Sequence, residues 1–368
     1  MVLLELPYGD GTLRVATSAR VTTIEPPALP PPPPLRPLLD HALSHPTGDL
    51  TVRPNDRVLI ILSDATRDEP RAAFLAALLA HLPPVRVTLA YATGTHGPVT
   101  SPLVSTSLPV INHDGITDTV HVGTTTRGTP VRVHRCLADA DLVIATGVIR
   151  PHYFAGFGAG AKAIFPGLAE STSARHNHRL KEHPSARAGS ITANECRLDL
   201  EEAAALAAPN AFLLNGVADA ANQIRAAVAG HPVHAFRAGA ALASPWVRVS
   251  APRARHILVA DHPPVTDSLY QASKLVASVA HLLLPGGTIY LLAPCRDGIG
   301  GVATVNHAIY DIGLRPRLPS HRILLISSLP PSEVAASYAI PSTPDALRDL
   351  DQLLVVPAAS KLILDAMD

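Results

Sequence analysis

The chain has 368 residues, 47% of them hydrophobic, and its 30 Lys+Arg are matched by 30 Asp+Glu. That length suits one large domain or two with real cores, and the zero net charge excludes the basic excess typical of a nucleic-acid binder. Three scattered cysteines, Cys136, Cys196 and Cys295, fit neither a disulfide framework nor a structural zinc ribbon, so a reducing, cytoplasmic compartment is expected.

From the N-terminus, Met1–Asp10 lacks the basic and apolar regions of a signal peptide. No apolar run reaches the roughly 18 residues of a membrane span. Residues 24–38 are proline-rich, with five consecutive prolines from Pro30 to Pro34, and read as an extended surface segment without helix. Strand and helix then alternate. Arg57–Leu62 is an apolar run ending at Ser63-Asp64, and Arg71–Leu82 has helical spacing. Val85–Ala92 ends in Thr93-Gly94-Thr95-His96. Val131–Val133 and Leu142–Ala145 are further strands, the latter ending in Thr146-Gly147. Such runs between helices indicate a parallel sheet buried on both faces, whose ligands bind beyond the carboxyl ends of its strands. Residues 199–208 read as helix, and Phe212–Val217 and Val233–Phe236 as strands. A second series follows: His256–Ala260 strand, Asp267–Leu282 helix, then strands Thr288–Leu292, His321–Ile326 and Gln352–Val356. Ser244-Pro245 and Pro252 interrupt the pattern. The fold class is therefore α/β, with domains at 1–248 and 249–368, the extreme C-terminus able to return to the first.

The chemistry concentrates in residues 147–189. Gly156, Gly158 and Gly160 alternate before Lys162, and Pro166-Gly167 and His176-Asn177-His178 follow. Alternating glycines let backbone approach a ligand. A P-loop reading fails, because Lys162 lies between Ala161 and Ala163. Gly158, Gly160 and Ala163 meet a loose dinucleotide fingerprint, but no strand directly precedes them and Pro166-Gly167 stops any helix. A lysine in an apolar, glycine-lined segment with no carboxylate nearby in sequence is a candidate nucleophile or attachment point. His96, His152 and His178 are candidate bases or ligands. His176 and His178, two residues apart, do not share a helix face, so at most one faces a given site. No HExxH is present.

Five motifs in order resemble the nickel-dependent lactate racemase family, over roughly residues 55–280. They are Asp64-Ala-Thr-Arg67; Thr93-Gly94-Thr95-His96; Pro151-His152 with Gly156–Lys162 and Pro166-Gly167; His176-Asn177-His178 with His183-Pro-x-Ala-Arg187-x-Gly189; and Tyr270-Gln271-x-x-Lys274. Three departures stand out. Gly97 replaces a common Arg, Ala159 and Ala161 replace glycines, and Ala193-Asn194-Glu195 replaces Gly-Asn-Pro.

The resemblance implies a 2-hydroxyacid racemase or epimerase with its active site in the interdomain cleft. Its cofactor is the nickel-pincer nucleotide, a pyridinium-3,5-bisthiocarboxylic acid mononucleotide, joined covalently to Lys162. Ni(II) takes His178 as its protein ligand, and a square-planar soft-ligand site suits that ion. Cofactor-synthesis enzymes are implied as partners, and a small 2-hydroxyacid as substrate. Hydride passes from carbon 2 to the cofactor and returns to the other face, with His96 and His152 as the two bases. Arg67 holds the substrate carboxylate. Asp64 orients Arg67 or touches the cofactor, with Thr66, Gly158 and Gly160 also on the cofactor. Tyr270, Gln271 and Lys274 bind substrate across the cleft, the last two on one helix face. The alternatives are a nicotinamide-dependent 2-hydroxyacid dehydrogenase, which needs a proper dinucleotide fingerprint, a non-catalytic nucleotide- or metal-binding relative, and a metal-dependent hydrolase.

Overall fold

A computed structural model describes residues 1–367. The chain divides into two compact units, residues 29–246 and residues 1–28 with 247–368.

The 29–246 unit is built on a six-stranded sheet. Its order is Ile224–Gly230, Ala211–Ala218, Leu142–Ile149, Arg57–Ser63, Arg86–Ala92 and Val110–Asn112. All neighbours are parallel except Ile224–Gly230 against Ala211–Ala218. Every residue of Leu142–Ile149 is buried, which is why that strand reads as an unbroken apolar run instead of an alternating one. Helix Arg71–His81 buries Phe74, Leu75, Ala77 and Leu78, and helix Leu35–Ser44 buries Leu39, Ala42 and Leu43. Both helices pack into one core with Ile60, Leu89 and Ile144. The loops carrying Asp64, His96 and His152 leave the carboxyl ends of three adjacent strands in this sheet.

In the other unit six strands are all parallel, ordered Ile340–Pro341, Arg322–Ile326, Leu283–Leu292, Ala254–Val259, Gln352–Val356 and Arg20–Thr23. Helix Leu269–Val279 begins where the Ser268 side chain accepts from Gln271 N at 3.3 Å. A 3₁₀ turn, Ala280–Leu282, completes the expected 267–282 segment.

Several expectations need correction. Residues 1–28, expected in the first domain, belong with the C-terminal half, because Arg20–Thr23 pairs in register with Gln352–Val355. The C-terminal strand Ile363–Ala366 pairs with Arg248–Ala251 and does not return to the first domain. Val131–Val133 lies in a separate antiparallel pair with Thr119–Thr124, outside the parallel sheet. Of the expected strand 233–236, Val233 lies in a turn and residues 234–236 open the helix His234–Val247, which carries Pro245 within its last turn; a four-residue apolar run does not distinguish strand from buried helix. Helix also begins inside the proline-rich stretch, at Leu35, because a proline is tolerated in a first helical turn, whose N–H groups have no intrahelical acceptor.

Candidate active site

Asp64 is the first residue past strand Arg57–Ser63 and is buried. Its Oδ1 accepts from Thr66 N at 2.7 Å and Thr66 Oγ1 at 2.5 Å. Its Oδ2 lies 2.9 Å from His96 Nδ1. The Asp64 carboxylate therefore orients His96; its tie to Arg67 is through backbone alone, Arg67 N donating to Asp64 O at 3.2 Å. Burial opposes its charge, but the bonds to His96 and Thr66, helped by nearby Arg67, outweigh burial and hold its carboxyl below the usual range. Arg71 fixes the loop from beneath, donating to Ser63 O at 2.8 Å and to the carbonyls of Asp64 and Arg67. The Arg67 side chain is half-buried, and no described residue accepts a hydrogen bond from it. A guanidinium with all its donors unspent suits a carboxylate.

His96 follows strand Arg86–Ala92, and its side chain is 21% exposed. Its loop is tied to the Lys162 loop by Gly94 N donating to Gly167 O at 2.9 Å. A carboxylate on Nδ1 keeps the proton there and leaves the Nε2 lone pair available as a base.

The third loop turns through a two-residue antiparallel pair, Pro151–His152 against Gly156–Phe157. His152 Nδ1 accepts from Ala155 N at 3.3 Å, which places the proton of the neutral ring on Nε2. Phe154 gathers the chemistry. His152 meets its ring edge-on at 4.5 Å and His178 at 5.3 Å, and Lys162 Nζ lies 5.5 Å from its centroid. The helix Ser171–Arg179 is locked in rotation by buried Asn177, which donates to Cys196 O at 3.1 Å and Asp199 Oδ2 at 2.8 Å. That rotation turns His178 onto Phe154 and leaves His176 exposed.

Lys162 sits on the 3₁₀ turn Gly160–Ala163, which is anchored by Gly160 N donating to the buried Asn215 Oδ1 at 2.9 Å. No carboxylate of the described residues forms an ion pair with it. Desolvation, with the charges of Arg197 and Arg67 added and Cys196 opposing them, brings its ammonium down to about 7. A lysine in this state is half amine at neutral pH and so nucleophilic. The turn opens no α-helix, so the loose dinucleotide fingerprint lacks its required context.

The glycines divide by role. A Cβ on Gly156 would lie 2.0 Å from Ser190 O, and one on Gly160 would lie 2.6 Å from Phe236. These two serve packing. Gly158 meets only Arg150 O, at 3.8 Å, and keeps open space above the loop. Ala159 takes φ 62 and ψ −158, a region nearly reserved for glycine.

Sequence reasoning missed the supports. Arg197 is fully buried under the loop, donates to Ala155 O at 3.1 Å and to Phe157 O, and lies 4.1 Å over the Phe236 ring. Asn194 donates to Phe154 O at 2.7 Å and caps the helix Glu195–Ala207. The local signal was Arg197 with Glu201 at i+4 on a helix rich in Ala and Leu.

In the other unit, Lys274 donates to Gln271 Oε1, so these two do share a helix face. Tyr270 is half-buried beside Gly300, and burial raises its phenol. Among the described residues no three His, Cys, Asp or Glu side chains form a metal cluster. A metal reaching His178 would thus take its other ligands from a bound organic group, and Lys162 beside the same ring is suited to anchor one.

The family model for the lactate racemase N-terminal domain matches residues 8–189. The chain is 31% identical over 287 residues to a lactate racemase of Thermoanaerobacterium thermosaccharolyticum, covering 72% of this chain and 67% of that protein. It is 29% identical over 284 residues to a lactate racemase of Lactiplantibacillus plantarum, with the same coverage. Its fold matches the lactate racemase apoprotein structure from T. thermosaccharolyticum with a TM-score of 0.81 and 24% identity, covering 99% of this chain and 100% of that one. A Thermotoga maritima protein structure matches with a TM-score of 0.69 and 17% identity, covering 92% of this chain and 100% of that one. No described helix is long and apolar enough to cross a membrane.

Proposed function

The chain belongs to the lactate racemase family, and from that premise we propose that it racemises or epimerises a 2-hydroxyacid with a nickel-pincer nucleotide carried on Lys162. The family makes it an enzyme of the isomerase class. The observation that carries the finer reading is Lys162 itself, with its charge disfavoured, no carboxylate partner, and His178 on the same Phe154 ring.

When bound, the group supplies a reversible acceptor for the hydride on carbon 2. The chain's residues do the rest. Arg67 holds the substrate carboxylate in a two-pronged bond. His96, held through Nδ1 by Asp64, takes the hydroxyl proton on Nε2 as the bond from carbon 2 to hydrogen breaks. His152, which enters the step as the imidazolium with its Nδ1 released from Ala155 N, gives its Nε2 proton to the oxygen on the opposite side. The two rings begin in complementary protonation states, and the reverse direction exchanges their roles. His178 is the proposed metal ligand, and Thr66, Gly158 and Gly160 border the space proposed for the cofactor. Tyr270, Gln271 and Lys274 remain proposed substrate-binding groups.

The test uses protein produced together with the cofactor-synthesis enzymes and a panel of single-enantiomer 2-hydroxyacids deuterated at carbon 2. Racemisation with deuterium retained on carbon 2 is the expected result. Wash-out of deuterium to water means carbanion chemistry and removes the hydride mechanism. Net oxidation that depends on added NAD means a dehydrogenase.

A further inference from the structure

Arg150 directly precedes Pro151-His152, at the carboxyl end of strand Leu142–Ile149. Its Nη2 donates to Asp68 O at 2.6 Å, so the guanidinium leans on the loop that carries Asp64 and Arg67. No carboxylate of the described residues forms an ion pair with it. Its Nε is enclosed without an acceptor, and no described residue accepts from Nη1. Glu69 is near but committed elsewhere: Oε1 accepts from Val148 N at 3.1 Å, and Oε2 is enclosed without a donor. Burial opposes the charge of Arg150, Glu69 and Asp68 favour it, and Arg67 and Arg71 oppose it. Arg71 is spent on four carbonyls, but no described residue accepts a hydrogen bond from the Arg67 guanidinium.

Arg67 and Arg150 are therefore mutually repelling guanidiniums, neither ion-paired, beside the loops of the two candidate bases. Like charges in a partly desolvated place are stabilised when each receives an anion. A monocarboxylic 2-hydroxyacid brings one carboxylate, which Arg67 takes. We propose that Arg150 binds a second carboxylate on the substrate side chain, making the preferred substrate a 2-hydroxydicarboxylic acid. This rests on the racemase reading above.

The test compares wild type, Arg150→Met and Arg150→Lys on 2-hydroxysuccinate and lactate, with calorimetric binding of hydroxymalonate and glycolate as a readout independent of turnover. Wild type should favour 2-hydroxysuccinate in kcat/KM. Arg150→Met should lose about 10- to 100-fold on it while changing lactate by less than about twofold, and Arg150→Lys should recover part of the loss. Binding should follow, with hydroxymalonate weakened in Arg150→Met and glycolate unchanged. Equal losses on both substrates would overturn the proposal, assigning Arg150 to loop support or to a phosphate of the nucleotide. A wild-type preference for lactate would overturn it as well. Arg150-dependent binding of hydroxymalonate without racemisation of any 2-hydroxyacid would uphold the second-carboxylate site while removing the racemase reading.

Discussion

Each unit ends its parallel strands in polar loops, and the two ends are chemically opposite. After strand Ala254–Val259, Asp261 is fully buried, and its oxygens accept from Ser360 N at 2.9 Å, Ser360 Oγ at 2.7 Å and His262 N at 2.8 Å, with Lys361 Nζ at 3.4 Å. That end is closed on itself. In the 29–246 unit, the Arg67 guanidinium donates to no described residue and Lys162 lacks a carboxylate, although Arg225 and Arg132 of the same unit pair with Asp219 and Glu170. The carboxyl ends of a parallel sheet nominate two places for a ligand. Unmet charge selects one of them.

The sharpest way to break this contrast is Lys162→Ala, which should abolish racemisation to the detection limit while far-ultraviolet circular dichroism stays unchanged. Next come His96→Ala and His152→Ala. Each should lower turnover in both directions by about 10²–10⁴-fold, measured by polarimetry from either enantiomer, and loss in only one direction would break the two-base scheme. Asp64→Asn loosens His96 without removing it and should cost roughly 10- to 100-fold, the usual loss when an orienting partner is removed. On the closed side, Asp261→Asn should reduce stability by about 1–3 kcal/mol in urea unfolding, with kcat/KM essentially unchanged. A large activity loss there with stability intact would mean the second end also does chemistry.

The pH dependence of the apoprotein gives a subtler effect. The Lys162 ammonium stands at about 7 in the folded chain, against roughly 10.4 when unfolded. Folding therefore expels a proton between these values. The cost is absent above about pH 10.4, grows as pH falls through the window, and is complete below about pH 7. Lys162→Met removes it, so its Tm should exceed wild type by a margin that widens from pH 10 to pH 7. A constant margin would mean that Lys162 is not desolvated. The smallest change is Ala159→Gly, which relieves the φ 62 conformation and should stabilise by about 1 kcal/mol.

The alternation of buried strands and amphipathic helices was legible because period and apolarity are local properties. So were the loops of Asp64, His96 and His152, which fall at strand ends. The pairing of Arg20–Thr23 with Gln352–Val355 was not legible, since it joins residues some 330 positions apart through backbone hydrogen bonds that leave no local mark. Asp64 was expected to orient Arg67 or touch the cofactor, but it orients His96; spacing within a motif cannot say which neighbouring loop a carboxylate meets. The three glycines looked equivalent in sequence, and the packing of Ser190 and Phe236 against two of them separates Gly158 from the rest. Phe154 was hidden for the same reason. Its role is defined by His152, Lys162 and His178, which only the folded chain brings to one ring.

The most direct test of the account is peptide mapping by mass spectrometry of active protein produced together with the cofactor-synthesis enzymes. The account predicts an added mass on the peptide carrying Lys162, present in proportion to racemase activity and absent from protein made without those enzymes. Full racemase activity with Lys162 unmodified would contradict it.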